Sequence, residues 1–197
     1  MNEDICDPDD VQILTAWMAV KCSDFQAVAR SLSLRDEQKG TFDDIFPDSR
    51  LSRPKKGNVL VYPSQGWSIV FYDLLEFDDG VDNLLLNLSA EFTEAQSFYI
   101  DTEYVFSTAW KLARDGEIVR AFASGEEFRD EIVSVGAITE AETFIDWEKL
   151  GQEDEEEHFA FGSAEVFKIA RQWSIDPIFD HPVFEHKDRD EGIVGFL

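Results

Sequence analysis

The sequence predicts an α+β fold: an antiparallel or mixed sheet with a ferredoxin-like split βαβ core, extended by a hairpin and followed by C-terminal helices. Three observations predict it. Asp115-Gly116 sits between two runs rich in β-branched and aromatic residues, and Asp-Gly supplies the positive φ angles of a tight type I′ turn. Val81, Leu84, Leu85, Leu88 and Phe92 recur at helical spacing and form one apolar stripe. The elements run β-α-β-β-α-β, followed by two more strands, which is the connectivity of a split βαβ unit.

Taken in order, residues 1–10 are acidic and broken by Pro8, which predicts a loose arm. Residues 11–21 form an apolar run whose period fits strand or helix. The strand is favoured because Ser23-Asp24 follows as a helix cap, leading to Phe25, Val28, Ala29 and Leu32 at helical spacing. Residues 35–57 are polar and interrupted by Pro47, Pro54 and Gly57, which predicts a long loop, with a turn of helix near 42–46 and Lys55-Lys56 as a solvated tip. Asn58–Tyr62 and Trp67–Tyr72 read as strands joined by a turn over residues 63–66. The stripe at 81–92 then reads as a helix capped by Asp78 or Asp79, and a meander over 96–123 follows. Thr139 and Glu142 are spaced as a capping box. Ser163 reads as the cap of a helix carrying Val166, Phe167, Ala170 and Trp173, with Lys168 and Arg171 late, where the helix dipole favours cations. The apolar end, residues 192–197, is expected to dock on the body.

One domain is expected over residues 1–197: the arm at 1–10, a sheet-and-helix core at 11–124 and an acidic helical extension at 125–197. The chain is 44% hydrophobic, enough for a packed core despite its charge. The formal net charge is −25, which opposes binding to DNA, RNA and anionic lipid and speeds encounter with a basic partner. Solubility, salt adaptation and cation binding are the other uses of such a charge. Residues 126–157 hold 13 acids against 2 bases. Two cysteines, Cys6 and Cys22, are too few for a disulfide framework and suggest a reducing compartment. An acidic N-terminus and the absence of a long apolar run complete the expectation of a cytoplasmic protein with no membrane segment.

No nucleotide-binding glycine motif, no Cys-x-x-Cys, no His-Glu-x-x-His and no Gly-x-Ser-x-Gly occurs. His158, His181 and His186 lack metal-ligand spacing, and Asp7, Asp9 and Asp10 lack the glycine and glutamate that complete a calcium loop. No cofactor and no metal are expected. Asp101 and Glu103 are a carboxylate pair, but in an expected turn between strands, where both would be solvated and poor at acid–base work. The residues favoured for contact with a partner are two acidic runs, Glu126, Glu127, Asp130 and Glu131, and Glu153, Asp154, Glu155, Glu156 and Glu157. Trp147 lies between them and reads either as core or as an interface anchor with a charged rim.

The run Phe98-Tyr99-Ile100-Asp101-Thr102-Glu103-Tyr104, with Trp110, the segment Asp115-Gly116-Glu117-Ile118-Val119-Arg120-Ala121-Phe122, then Gly136, Glu142, Val166, Ile169-Ala170 and Trp173-Ser174-Ile175-Asp176-Pro177, resembles bacterial immunity proteins encoded beside polymorphic or type VI secretion toxins. The resemblance spans roughly residues 94–177 and rests on structural motifs, so it transfers no catalytic residue. It implies a small, acidic, cytoplasmic inhibitor that occludes the active site of a cognate toxin. Many such toxins act on anionic substrates through basic clefts, which an acidic surface would complement. The function expected is thus toxin neutralisation by binding, without turnover. The alternatives are a small carboxylate-using enzyme and a halotolerant housekeeping protein.

Overall fold

The computed structural model describes residues 14–41, 44, 57–72, 79–101, 107–125, 132–148, 161–176 and 192–197. The expected N-terminal arm, the Lys55-Lys56 tip, the three histidines, Glu103 and both acidic runs, 126–131 and 153–157, lie outside the described residues. Along the chain come β1 (Leu14–Val20), α1 (Phe25–Ser31), β2 (Arg35–Gly40), β3 (Asn58–Ser64), β4 (Trp67–Tyr72), α2 (Asp79–Phe92), β5 (Glu94–Asp101), β6 (Ser107–Arg114), β7 (Glu117–Ser124), β8 (Val133–Val135), a single 3-10 turn (Glu140–Glu142), α3 (Ser163–Trp173) and β9 (Gly192–Phe196).

The described strands form one antiparallel sheet of nine, in the order β2-β9-β3-β4-β1-β5-β6-β7-β8. This corrects the expected ferredoxin-like split βαβ core with a hairpin extension and C-terminal helices. The protein is mostly one wide sheet with three α-helices among the described residues. Pairings between residues distant in sequence widen it. β9 returns from the C-terminus and inserts between β3 and β2, with Leu60 opposite Val194 and Lys39 opposite Ile193. The segment expected to be a loop, Arg35–Gly40, is therefore an edge strand. At the other end β8 continues the sheet beyond β7, so the C-terminal part supplies strands as well as α3.

Two tight turns follow their chemistry. Asp115 and Gly116 take φ of 49° and 83°, and Gln65 and Gly66 take 46° and 88°, the paired positive angles of a turn that matches strand twist. The second turn is shorter than expected, because β3 runs on through Pro63 and Ser64. Pro63 is tolerated because β9 pairs only with Asn58–Val61 and has ended before reaching it. Asp24 caps α1 through its Oδ1, which accepts from Ala27 N at 3.1 Å, satisfying a donor the helix leaves open. The cap of α3 is Gly162, with Ser163 as the first helical residue, so the helix starts one position earlier than expected.

Strand alternation sends side chains to two cores, one on each face. On one face α1 and α2 cover Met18, Val20, Val61, Val70, Ala95 and Tyr99 with Val28, Ala29, Val81, Leu85 and Leu88. On the other, α3 and the segment around the 3-10 turn cover Trp17, Phe71, Phe98, Trp110 and Phe122 with Val166, Phe167, Ala170 and Ile145. Trp17 stacks on Phe98 at 4.9 Å between centroids, and Trp110 on Phe122 at 4.4 Å. Such pairs add about 0.5–1.5 kcal/mol beyond the area they bury. β1, flanked by β4 and β5, is the central strand that both layers share. Among the described residues no helix is long and apolar enough to cross a membrane.

Among the described residues β2 pairs with β9 alone, and its residues Arg35 to Lys39 are exposed, so its order depends on β9. Truncation before Gly192 should strip hydrogen-exchange protection from Arg35–Gly40 while leaving β1, β4 and β5 protected. It should also lower stability by about 2 kcal/mol, from re-exposing Val194 and the side of Leu60 it covers. Urea unfolding and amide exchange check both.

Candidate functional site

β7 presents Arg120 and Phe122 toward the aromatic core and Ala121 and Ala123 toward the helical face. An arginine in that phase demands partners, because an unpaired buried charge costs several kcal/mol. The structure supplies them from the chain that follows. Arg120 and Glu142 have side chains 1% and 0% exposed. Arg120 Nε donates to Glu142 Oε1 at 2.7 Å and to Oε2 at 3.0 Å. Nη2 also lies 2.7 Å from Oε1, as an ion-pair contact off the axis of a good hydrogen bond. Nη1 donates to Ala121 O, Ser134 Oγ and Val135 O at 2.9, 2.9 and 3.0 Å. One guanidinium thus joins β7, β8 and the 3-10 turn.

Glu142 closes the other half. Its Oε2 accepts from Thr139 N at 2.8 Å and Thr139 Oγ1 at 2.7 Å, and its Oε1 from Trp110 Nε1 at 2.9 Å. Trp173 Nε1 donates to Thr139 Oγ1 at 3.1 Å, which ties the end of α3 to the same group. Burial alone would raise the Glu142 carboxyl, but the hydrogen bonds from Arg120, Thr139 and Trp110 outweigh it and hold the group below the ordinary 4.5. The capping box read from sequence is therefore also the counterion of a buried arginine.

Trp147 is half-buried and packs on the aromatic core. Its ring lies 5.3 Å from Arg120 Cζ and edge-on to Phe122 and Phe161 at 5.3 and 6.0 Å. Its Nε1 donates to Glu142 O at 3.3 Å. Trp147 thus shields the ion pair from water.

This clamp fixes the segment 132–148, whose outer side forms the open margin of the sheet. All seven residues from Ile132 to Ile138 are exposed. Val119, Ile132, Val133, Val135 and Ile138 are each 40–50% exposed. Gly136 has φ of 79°, and a Cβ there would meet Val119 O at 2.1 Å, so only glycine lets the chain turn this close to β7. Among described residues between 115 and 148 the exposed charges are all acidic, Asp115, Glu117, Glu140, Asp146 and Glu148, while the one base, Arg120, is buried.

Of the carboxylate pair only Asp101 is among the described residues. Asp101 is buried at the end of β5, opposite Ser107, not in a solvated turn. A second polar cluster lies under α2. There Lys111 Nζ pairs with Asp82, and Tyr72 hydroxyl bonds Ser97 Oγ at 3.2 Å. Burial pushes the Tyr72 hydroxyl up to about 12, the Ser97 bond opposes this, and the Asp82 charge adds to it. That keeps the phenol neutral near pH 7 and unsuited to act as a base. Among the described residues no group of three or more His, Cys, Asp or Glu side chains is placed to hold a metal ion. Comparison with protein-family models, curated proteins and solved structures gives no match.

Glu142→Gln removes the charge that compensates Arg120 and should cost about 3–5 kcal/mol in urea unfolding. Replacing both members, Arg120→Met with Glu142→Leu, should recover most of that loss. The pH dependence has a fixed sign. With the folded Glu142 pKa below its unfolded value, its contribution is complete above about pH 4.5 and fades as pH falls through the folded pKa. Glu142→Gln should lack this component of acid sensitivity in a pH series of unfolding curves.

Proposed function

We propose that this chain is a stoichiometric inhibitor of the immunity type. It binds a cognate secreted bacterial toxin and occludes its active site, meeting a basic cleft with an acidic surface and performing no turnover. The observation that carries this reading is the net charge of −25 on a sheet with a packed core on each face. A rigid, charged body suits fast capture: electrostatic steering raises association rates by about 10–1,000-fold and fades as salt screens it. The margin at β7 and β8 supports the same reading, since the exposed charges on described residues there are all acidic.

The two acidic runs from the sequence, Glu126, Glu127, Asp130 and Glu131, and Glu153 to Glu157, belong to the proposed contact surface. The first lies between β7 and β8 in the sequence. Affinity capture from the native host tests the reading: a basic protein should co-purify in equal amount, and its activity should fall as the complex forms. Recovery of no basic partner, or conversion of a small molecule by the purified chain, counts against it. Combining Glu153→Lys, Glu155→Lys and Glu157→Lys should slow association with that partner by about tenfold and flatten its salt dependence. Unchanged stopped-flow kinetics would remove the second run from the contact surface.

A further inference from the structure

We infer that the free edge of β8 is the docking site for an extended, basic segment of the partner, which joins the sheet as a further strand. The inference rests on the protein-capturing reading above and names where capture occurs.

The two edges of the sheet are built in opposite ways. β2 carries Arg35, Asp36, Glu37, Gln38 and Lys39, all exposed, and its register shifts between Arg35 and Gln38, where Asp36 takes a φ of 54°. Charges and a bulge are the devices that keep other strands from an edge. β8 has neither. Ile132 to Ile138 reads Ile-Val-Ser-Val-Gly-Ala-Ile, uncharged, without proline and rich in β-branched residues, the composition that accepts another strand. Among the described residues β8 pairs with β7 alone, leaving its outer side for a partner's backbone, as in β-strand addition. Val133 and Val135 stand opposite Ala123 and Ala121. They offer exposed apolar contacts on the face they share with Ala121 and Ala123.

Charge chooses the occupant. Glu140, Asp146 and Glu148, all exposed, follow the edge along the chain, and the sequence places Glu131 directly before Ile132. A second copy would bring the same acids and another −25 to the same seam, so pairing between copies meets like-charge repulsion. A strand bearing lysine or arginine meets attraction. The clamp of Arg120 on Ser134 and Val135 holds the edge in place before the partner arrives, which lowers the ordering cost of binding.

The test uses the full chain and an acetylated nonapeptide alternating valine with lysine, with a valine–glutamate peptide as control. The basic peptide should bind and slow amide exchange at Val133, Ser134 and Val135, and the acidic peptide should not. Val135→Lys, at an exposed position that leaves the core intact, should weaken the basic peptide about tenfold. Absence of protection at β8 with peptide at about 1 mM, equal binding of the acidic peptide, or no effect of Val135→Lys would overturn the inference. So would a concentration-dependent dimer protected at β8 without peptide, which would assign the edge to a second copy. Capture of a basic host protein equally by wild type and Val135→Lys would overturn the edge and leave the proposed function standing. Peptide docking at β8 with no basic host protein captured would uphold the edge and remove the function.

Discussion

The buried pair of Arg120 and Glu142 is the constraint on which the margin formed by β7, β8 and the 3-10 turn depends. Taking two charges out of water costs several kcal/mol per ion. The cost is met here by a nearly complete set of hydrogen bonds: Glu142 accepts from Arg120, Trp110 and both donors of Thr139, and Arg120 also donates to three groups on β7 and β8. An apolar pair of equal volume would hold these elements about as strongly. What the ionic pair adds is direction, since only one placement of the 3-10 turn satisfies every donor. The segment 132–148 is thereby locked onto the sheet by side chains, although its own strand is only three residues long.

From that lock follows a division of labour across the sheet. The centre, β4-β1-β5, is buried on both faces and supplies stability. The β2 edge is charged and bulged and is closed to other strands. The β8 edge is apolar, flat in composition and rimmed by acids. Each property has an ordinary explanation when taken alone: acids favour solubility, and a short exposed strand is a common surface feature. Their coincidence at one margin, beside a buried clamp that fixes it, is the ground on which we propose recognition of a basic protein.

Local chemistry was legible in the sequence, and distant pairing was not. Asp115-Gly116 announced its hairpin, the stripe from Val81 to Phe92 its helix, and Thr139 with Glu142 the capping box, because each signal lies within a few residues. β2 gave no signal. Arg-Asp-Glu-Gln-Lys has low strand propensity, and it is a strand only because β9, more than 150 residues later in the chain, lies beside it. The insertion of β9 widened the sheet, and the antiparallel pairing of β1 with both β4 and β5 replaced the parallel pairing that a βαβ unit requires. Asp101 was expected in a solvated turn because β5 was expected to end at Ile100; one further ladder residue buries it. The Arg120–Glu142 clamp did leave a trace. Arg120 and Phe122 lie two apart on one face, while a register shift opposite Leu112 and Ala113 turns Ile118 to the helical core, and a charge in phase with a core phenylalanine calls for a buried counterion. Which acid answers among 42 is a property of the fold.

Native-state hydrogen exchange on the wild type and Glu142→Gln, resolved by residue, tests most directly whether this pair holds the β7–β8 margin in place. The account predicts that protection falls first and furthest at Ala121–Ala123, Val133–Val135 and the 3-10 turn, while β1, β4 and β5 keep theirs. Uniform loss across the sheet, or unaltered protection at β8, would contradict it.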